Sequence, residues 1–134
     1  MRARTLSTTA LAITVAVLVT APPQAKAERE SSTREMLDAA SQAFSEARTR
    51  FGSGTATLDE VYRWSIRWLE AARRHQPSSA RAAAQSHLAR MREVCNAADR
   101  MVHQGTLPPS ETTACRYYLA EAQVWVTSGV GPRR

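Results

Sequence analysis

The chain has 134 residues, with 18 basic and 12 acidic side chains and a formal net charge of +6. Arg2, Arg4 and Lys26 fall in the first 27 positions and no acid does, so residues 28–134 carry only +3, and all of their basic residues are arginine. That balance lacks the basic stripe of a nucleic-acid binder. A stretch of 107 residues makes one small domain with a modest core. Two phenylalanines and abundant alanine suit close-packed helices better than a sheet.

The N-terminus reads as a secretory signal. Met1–Arg4 is basic, Ala10–Ala21 is apolar, and Ala25-Lys26-Ala27 is a small-x-small site. The apolar run of twelve residues falls short of the roughly 20 that a spanning helix needs. The expectation is cleavage after Ala27 and a secreted or periplasmic domain, residues 28–134. Residue 28 is glutamate rather than cysteine, which disfavours a lipoprotein. An uncleaved signal is the one route by which this reading attaches the chain to a membrane.

Four helices follow. Ser32 and Glu35 make a capping box, after which Leu37, Ala40, Phe44, Ala47 and Phe51 recur at alternating spacings of three and four, an apolar seam. Gly52-Ser53-Gly54 ends that helix. Thr57 and Glu60 form a second capping box, followed by the seam Leu58, Val61, Ser65, Trp68 and Ala72 with Tyr62 and Leu69 beside it. Pro77 stops the second helix at Gln76. Ser78 or Ser79 caps a third helix with the seam Leu88, Met91, Cys95, Ala98 and Val102. Gly105 ends it. Pro108-Pro109 suits the first turn of a fourth helix, which carries Cys115, Tyr118, Ala122 and Trp125 with Leu119 and Val126. Gly129 and Pro132 close the fold and leave Arg133-Arg134 as a loose tail. Turns are expected near 52–56, 75–78 and 104–108.

Sliding the chain by 51 residues places the first seam on the third, and Gly54-Thr55 on Gly105-Thr106. Seven of the 35 positions from 37 to 71 are then identical. The predicted fold is therefore all-α: two tandem antiparallel αα-hairpins, about 32–74 and about 78–128, with coiled-coil-like packing and an internal repeat of 51 residues.

Ala47, Phe51, Gly54, Leu58, Glu60, Val61, Trp68, Leu69, Glu70 and Ala71 form a pattern that resembles the helical hairpins of TolC-like outer-membrane efflux proteins. Ala98, Val102, Gly105, Glu111, Leu119, Glu121 and Ala122 repeat part of it. The stretches EVYRWSIRWLEA and HLARMREV are also similar to small secreted helical proteins of planctomycete-type bacteria. The resemblance covers most of residues 37–126 and implies the helical architecture alone. It implies no catalytic residue. No stretch alternates with the period of two that membrane strands require, and the chain is too short for a barrel pore.

Cys95 and Cys115 lie equally far from Gly105, on two apolar stripes, so an antiparallel hairpin puts them at one level. An oxidising compartment permits a disulfide. Helix axes 8–10 Å apart often hold Cα atoms beyond the limit of about 7 Å, so two buried thiols remain the alternative. His87, Met91 and Cys95 recur at i, i+4 and i+8, with Met101, His103 and Cys115 near the same turn. The set His87, Met91, Cys95 and Cys115 has the softness that suits Cu(I). The competing explanation takes Met91 and Cys95 as core and His87 as the edge of a stripe. No cofactor is expected. No Ser/His/Asp set follows from spacing: Ser65 reads as a packing position, Asp59 and Glu60 as capping residues. Arg73, Arg74 and Arg81 make a basic link between the hairpins. Trp64, Tyr117 and Val124 point away from the core stripes and mark a candidate interface with a protein partner or a second copy. The functional expectation is a non-enzymatic helical interaction protein. The alternative is a periplasmic metal-responsive or stress protein.

Overall fold

The computed structural model describes residues 23–129 and 131. The basic and apolar parts of the signal reading, and the tail Arg133-Arg134, lie outside the described residues. Four α-helices account for most of the rest: α1 (Pro23–Gly52), α2 (Leu58–His75), α3 (Ala80–His103) and α4 (Ser110–Ser128). A 3-10 turn, Pro77–Ser79, joins α2 to α3. Among the described residues there is no strand, and no helix is long and apolar enough to cross a membrane.

The first helix begins well before the expected Ser32. Pro23 fits a first turn, where its missing N–H costs nothing, and the following Gln-Ala-Lys-Ala-Glu run contains no helix breaker. Thr33 Oγ1 donates to Glu30 O at 3.1 Å, a bond made inside a helix rather than at a cap. The first buried residue of α1 is Ala40, so its N-terminal turns extend past the packed part of the molecule.

Local signals set the other boundaries. Glu60 N donates to Thr57 Oγ1 at 3.1 Å, which caps α2 as its sequence requires. Gly54 (φ 75°) and Gly105 (φ 73°) take the left-handed conformation that ends α1 and α3. After the first of these, Thr55 N donates to Arg50 O at 2.8 Å; after the second, Thr106 N donates to Met101 O at 2.9 Å. Each threonine hydroxyl also bonds that same carbonyl. The capping expected of Ser78 or Ser79 is not made: Ser79 forms no side-chain cap bond, because the 3-10 turn leads directly into α3. Pro108 and Pro109 precede α4 instead of occupying its first turn.

The pairs Arg50–Glu60, Phe44–Trp68 and Thr33–His75 climb away from the first loop in step, so α1 and α2 run antiparallel. The α3 and α4 helices also pack against each other, and α2 packs against α3. Contacts such as Arg48–Glu93 tie α1 to α3, and Tyr62–Tyr118 ties α2 to α4. The α2 and α3 helices are thus the central pair, flanked by α1 and α4. The main core holds Phe44, Phe51, Leu58, Val61, Met91, Val94 and the half-cystines; a smaller one holds Leu69, Ala84 and Trp125. On α2 the buried positions are Leu58, Val61, Ser65, Leu69 and Ala71, so Leu69 takes the core place expected of Trp68. Trp68 is half-buried, and its ring lies 5.6 Å from Phe44.

Candidate functional site

Cys95 of α3 and Cys115 of α4 form a disulfide, with Cα atoms 5.5 Å apart. The two stripes face each other closely enough to satisfy the geometric limit. This fixes the outcome for the soft-metal set. Both sulfurs are engaged in the bond and offer no thiolate, and Met91 is fully buried in the main core. His87 Nδ1 is occupied by a hydroxyl. His103 is exposed and bonds the Asp99 carbonyl. Among the described residues no three His, Cys, Asp or Glu side chains converge as a metal site.

Ser65 of α2 and His87 of α3 are the buried polar side chains among the described residues. Each is 0% exposed, so both are central rather than at a stripe edge. Ser65 Oγ lies 2.8 Å from His87 Nδ1. Arg90 Nε donates to the same Oγ at 3.1 Å, and an Arg90 Nη donates to Ser65 O at 3.3 Å. With Oγ accepting from Arg90, the serine proton is available to Nδ1, which leaves the imidazole proton on Nε2. That atom is buried with no hydrogen-bond partner. Burial, and secondarily the Arg90 charge, lowers the His87 pKa from 6.5 to about 4. Burial also brings Arg90 down to about 10. The Arg90 guanidinium lies 3.9 Å from the Trp68 ring and 5.7 Å from Phe44, a cation held by aromatic faces.

Ser65 and His87 differ in geometry from a nucleophile–base pair. In such a pair Nε2 meets the hydroxyl and Nδ1 is oriented by a carboxylate. Here Nδ1 meets the hydroxyl, Nε2 meets nothing, and both side chains are closed off from solvent. The arrangement acts on packing. Arg90 had no periodic signal in the sequence; its guanidinium reaches Ser65 from a place over the Trp68 and Phe44 rings.

An open groove lies between α2 and α4. It measures about 810 Å³ and is walled by Tyr62, Ile66, Val124 and Trp125, with Arg63, Arg67, Glu70 and Glu121 among its polar residues. Arg63 pairs with Asp59 at 2.7 Å. Gly131 closes one end, so near the Arg73 guanidinium that a Cβ there would collide with it. Glu121 fastens the walls together: it accepts hydrogen bonds from Tyr62 and, at 3.3 Å, from Tyr117. Tyr62 also stacks on Tyr118 at 3.9 Å. Burial, reinforced by Glu121, raises the Tyr62 pKa, and burial with nearby Asp59 raises that of Tyr118, so both phenols stay protonated donors.

The sequence-predicted interface residues divide between two flanks. Tyr117 is 63% exposed and Val124 57%, both on α4. Trp64 does not join them: it is half-buried, packs against the main core, and lies beneath the Arg67 guanidinium at 4.5 Å. With Met36 and Ala40 of α1 it lines a separate surface depression. Comparison with known proteins found no match among family models, curated proteins or solved structures.

Proposed function

We propose that this chain is a non-enzymatic, exported helical interaction protein that binds a protein partner through the outer face of α4 and the groove beside it. The observation that carries the reading is the exposure of Val124 (57%), which lines an open groove, together with that of Tyr117 (63%) two turns away on the same face of α4. Solitary apolar residues on a surface are ordinary, but two large ones on one helix face beside a concavity are the form a docking site takes. In this reading the architecture is two tandem αα-hairpins repeated at an interval of 51 residues. The matching bonds of Thr55 to Arg50 and of Thr106 to Met101, at that same offset, support the repeat. The disulfide between α3 and α4 suits an oxidising compartment and so supports export. The likeness to efflux-protein hairpins belongs to this helical architecture and brings no channel with it.

The test places a photoactivatable side chain at Val124 and, separately, at Ser45 on the exposed side of α1, and illuminates the producing cells. The reading expects an adduct from position 124 and none from position 45. Absence of any adduct at 124 overturns it.

A further inference from the structure

We propose that acid opens the end of α4: a proton on His87 drives Trp125 out of the smaller core and releases α4 from Ala122 onward, while the disulfide keeps the start of that helix in place.

The closed packing has no place for the proton. A protonated imidazole carries two N–H donors. Nδ1 faces Ser65 Oγ, which already accepts from Arg90, and Nε2 has no hydrogen-bond partner. From α2 the ring meets Ser65 and Tyr62, the latter at 6.2 Å between ring centres; from α4 it meets Trp125 at 5.4 Å. The charge that acts on it is Arg90 of its own helix, which repels a second cation. Phe44 of α1 lies on that guanidinium and is uncharged. Glu121 of α4 is engaged by the Tyr62 hydroxyl. A charged ring must therefore reach water.

Trp125 is the neighbour that can move aside without parting the central helices. Ser65 and Tyr62 belong to α2, which packs on α3. Trp125 belongs to a flanking helix and walls the open groove, so its departure joins the ring to solvent. The two halves of α4 are also held unequally. The first is bonded to α3 through Cys115, and Tyr118 and Leu119 pack on the main core. The second depends on Ala122, and on Trp125 and Val126 against Leu69, Ala84 and their neighbours in the smaller core. A segment with few buried apolar partners is the first to open.

The pH range follows from the two states of the ring. Buried, it resists protonation down to about 4; opened, it titrates near the ordinary 6.5. The closed state is therefore favoured above 6.5, and falling pH favours the opened one. Between those values the opened fraction rises about tenfold per pH unit, about 300-fold in all. The groove that receives the ring carries Arg63, Arg67, Glu70 and Glu121, two of each sign, and so adds little bias. Val124 lies on the released segment, so in acid the partner surface is given up with it. That consequence rests on the interaction reading; the release of α4 does not.

Native-state hydrogen exchange of the oxidised protein, read at single amides by NMR from about pH 6.5 to 4, tests this. Protection of residues 122–126, corrected for the intrinsic exchange rate at each pH, falls about 300-fold in the parent. In His87→Leu, and in His87→Gln as a polar control on packing, it falls less than about tenfold. Each variant is used where its helical dichroism matches that of the parent. Low urea leaves exchange at 122–126 unchanged, since a local opening exposes little surface, while it speeds exchange at the buried amides of α2 and α3. The same pH dependence in parent and variants overturns the role of His87. Exchange at 122–126 that follows urea as α2 and α3 do means that α4 opens only with the whole molecule, and overturns the local release.

Discussion

His87 is the residue whose perturbation reads most directly on the folded state. Its pKa falls from the ordinary 6.5 to about 4 because the ring is buried between Ser65 and Trp125 with the Arg90 charge nearby. Between pH 6.5 and 4 the unfolded chain holds a proton on this imidazole that the folded chain refuses. Its contribution to stability is therefore complete above 6.5 and is lost as the pH falls towards 4. At about 1.4 kcal/mol for each unit of pKa difference, the loss is about 3 kcal/mol, a large part of the roughly 5–15 kcal/mol typical of a domain. His87→Leu removes the titration and the unpartnered Nε2 but leaves Ser65 bonded to Arg90, so near pH 8 its stability is within about 1 kcal/mol of the parent. Urea unfolding followed by helical dichroism, repeated from about pH 8 to 4, measures both proteins. The two proteins differ only at position 87, so the difference between the curves isolates His87. A parent that loses no more stability on acidification than His87→Leu does would refute this role for the buried imidazole.

Replacing both Cys95 and Cys115 by serine frees a loop with a sequence separation of 20 residues. It lowers unfolding stability by about 3 kcal/mol, measured by the same urea titration at neutral pH; a cost below about 1 kcal/mol would count against the disulfide as a main support of α4. Gly105→Ala introduces a Cβ that meets nothing within 4 Å, so its whole cost comes from φ at +73°. That cost is about 1 kcal/mol, and a thermal midpoint that does not fall would show that the loop relaxes into another turn.

Much of this fold could be read from short-range chemistry. Thr57 with Glu60, Gly54, Gly105 and Pro77 each state a local rule about where a helix starts or stops, and α2, α3 and both glycine turns obey it. The start of α1 is not legible in the same way, because Ser32 satisfies a capping pattern while an equally helical run precedes it. The place of Leu69 is hidden by drift: a strict heptad selects Trp68, whereas a straight helix of 3.6 residues per turn carries the buried line round to Leu69. A single seam for each helix leaves His87 at a stripe edge. As α3 touches both α2 and α4, its buried arc widens to include Ala84, His87 and Val94. Equal distance from Gly105 puts Cys95 and Cys115 at one level, but only the packed helices decide whether they also face each other. Arg90 has no signature in the pattern at all, since its role depends on Trp68 and Phe44 meeting at its level.

The buried Ser65–His87–Arg90 cluster looks costly in so small a core, yet the alternatives nearby explain what it does. Many of the surrounding buried residues are alanines: Ala47, Ala71, Ala84, Ala98 and Ala122. Small, similar side chains discriminate poorly between one helix register and the next, because a slide of one turn, about 5.4 Å, replaces one methyl by another. The same slide between α2 and α3 would carry Ser65 past His87 and Arg90. It would strand a buried hydroxyl and leave the guanidinium without its two oxygen acceptors on that residue. Each group so stranded costs about 1–3 kcal/mol, more than an alanine contact gains. The unpartnered Nε2 is a fixed cost of the correct register, whereas the lost bonds penalise only the wrong ones. The polar cluster therefore widens the gap between the observed packing and its neighbours while adding little to stability at neutral pH. The disulfide acts likewise on α3 and α4, where a covalent bond between Cys95 and Cys115 holds the register.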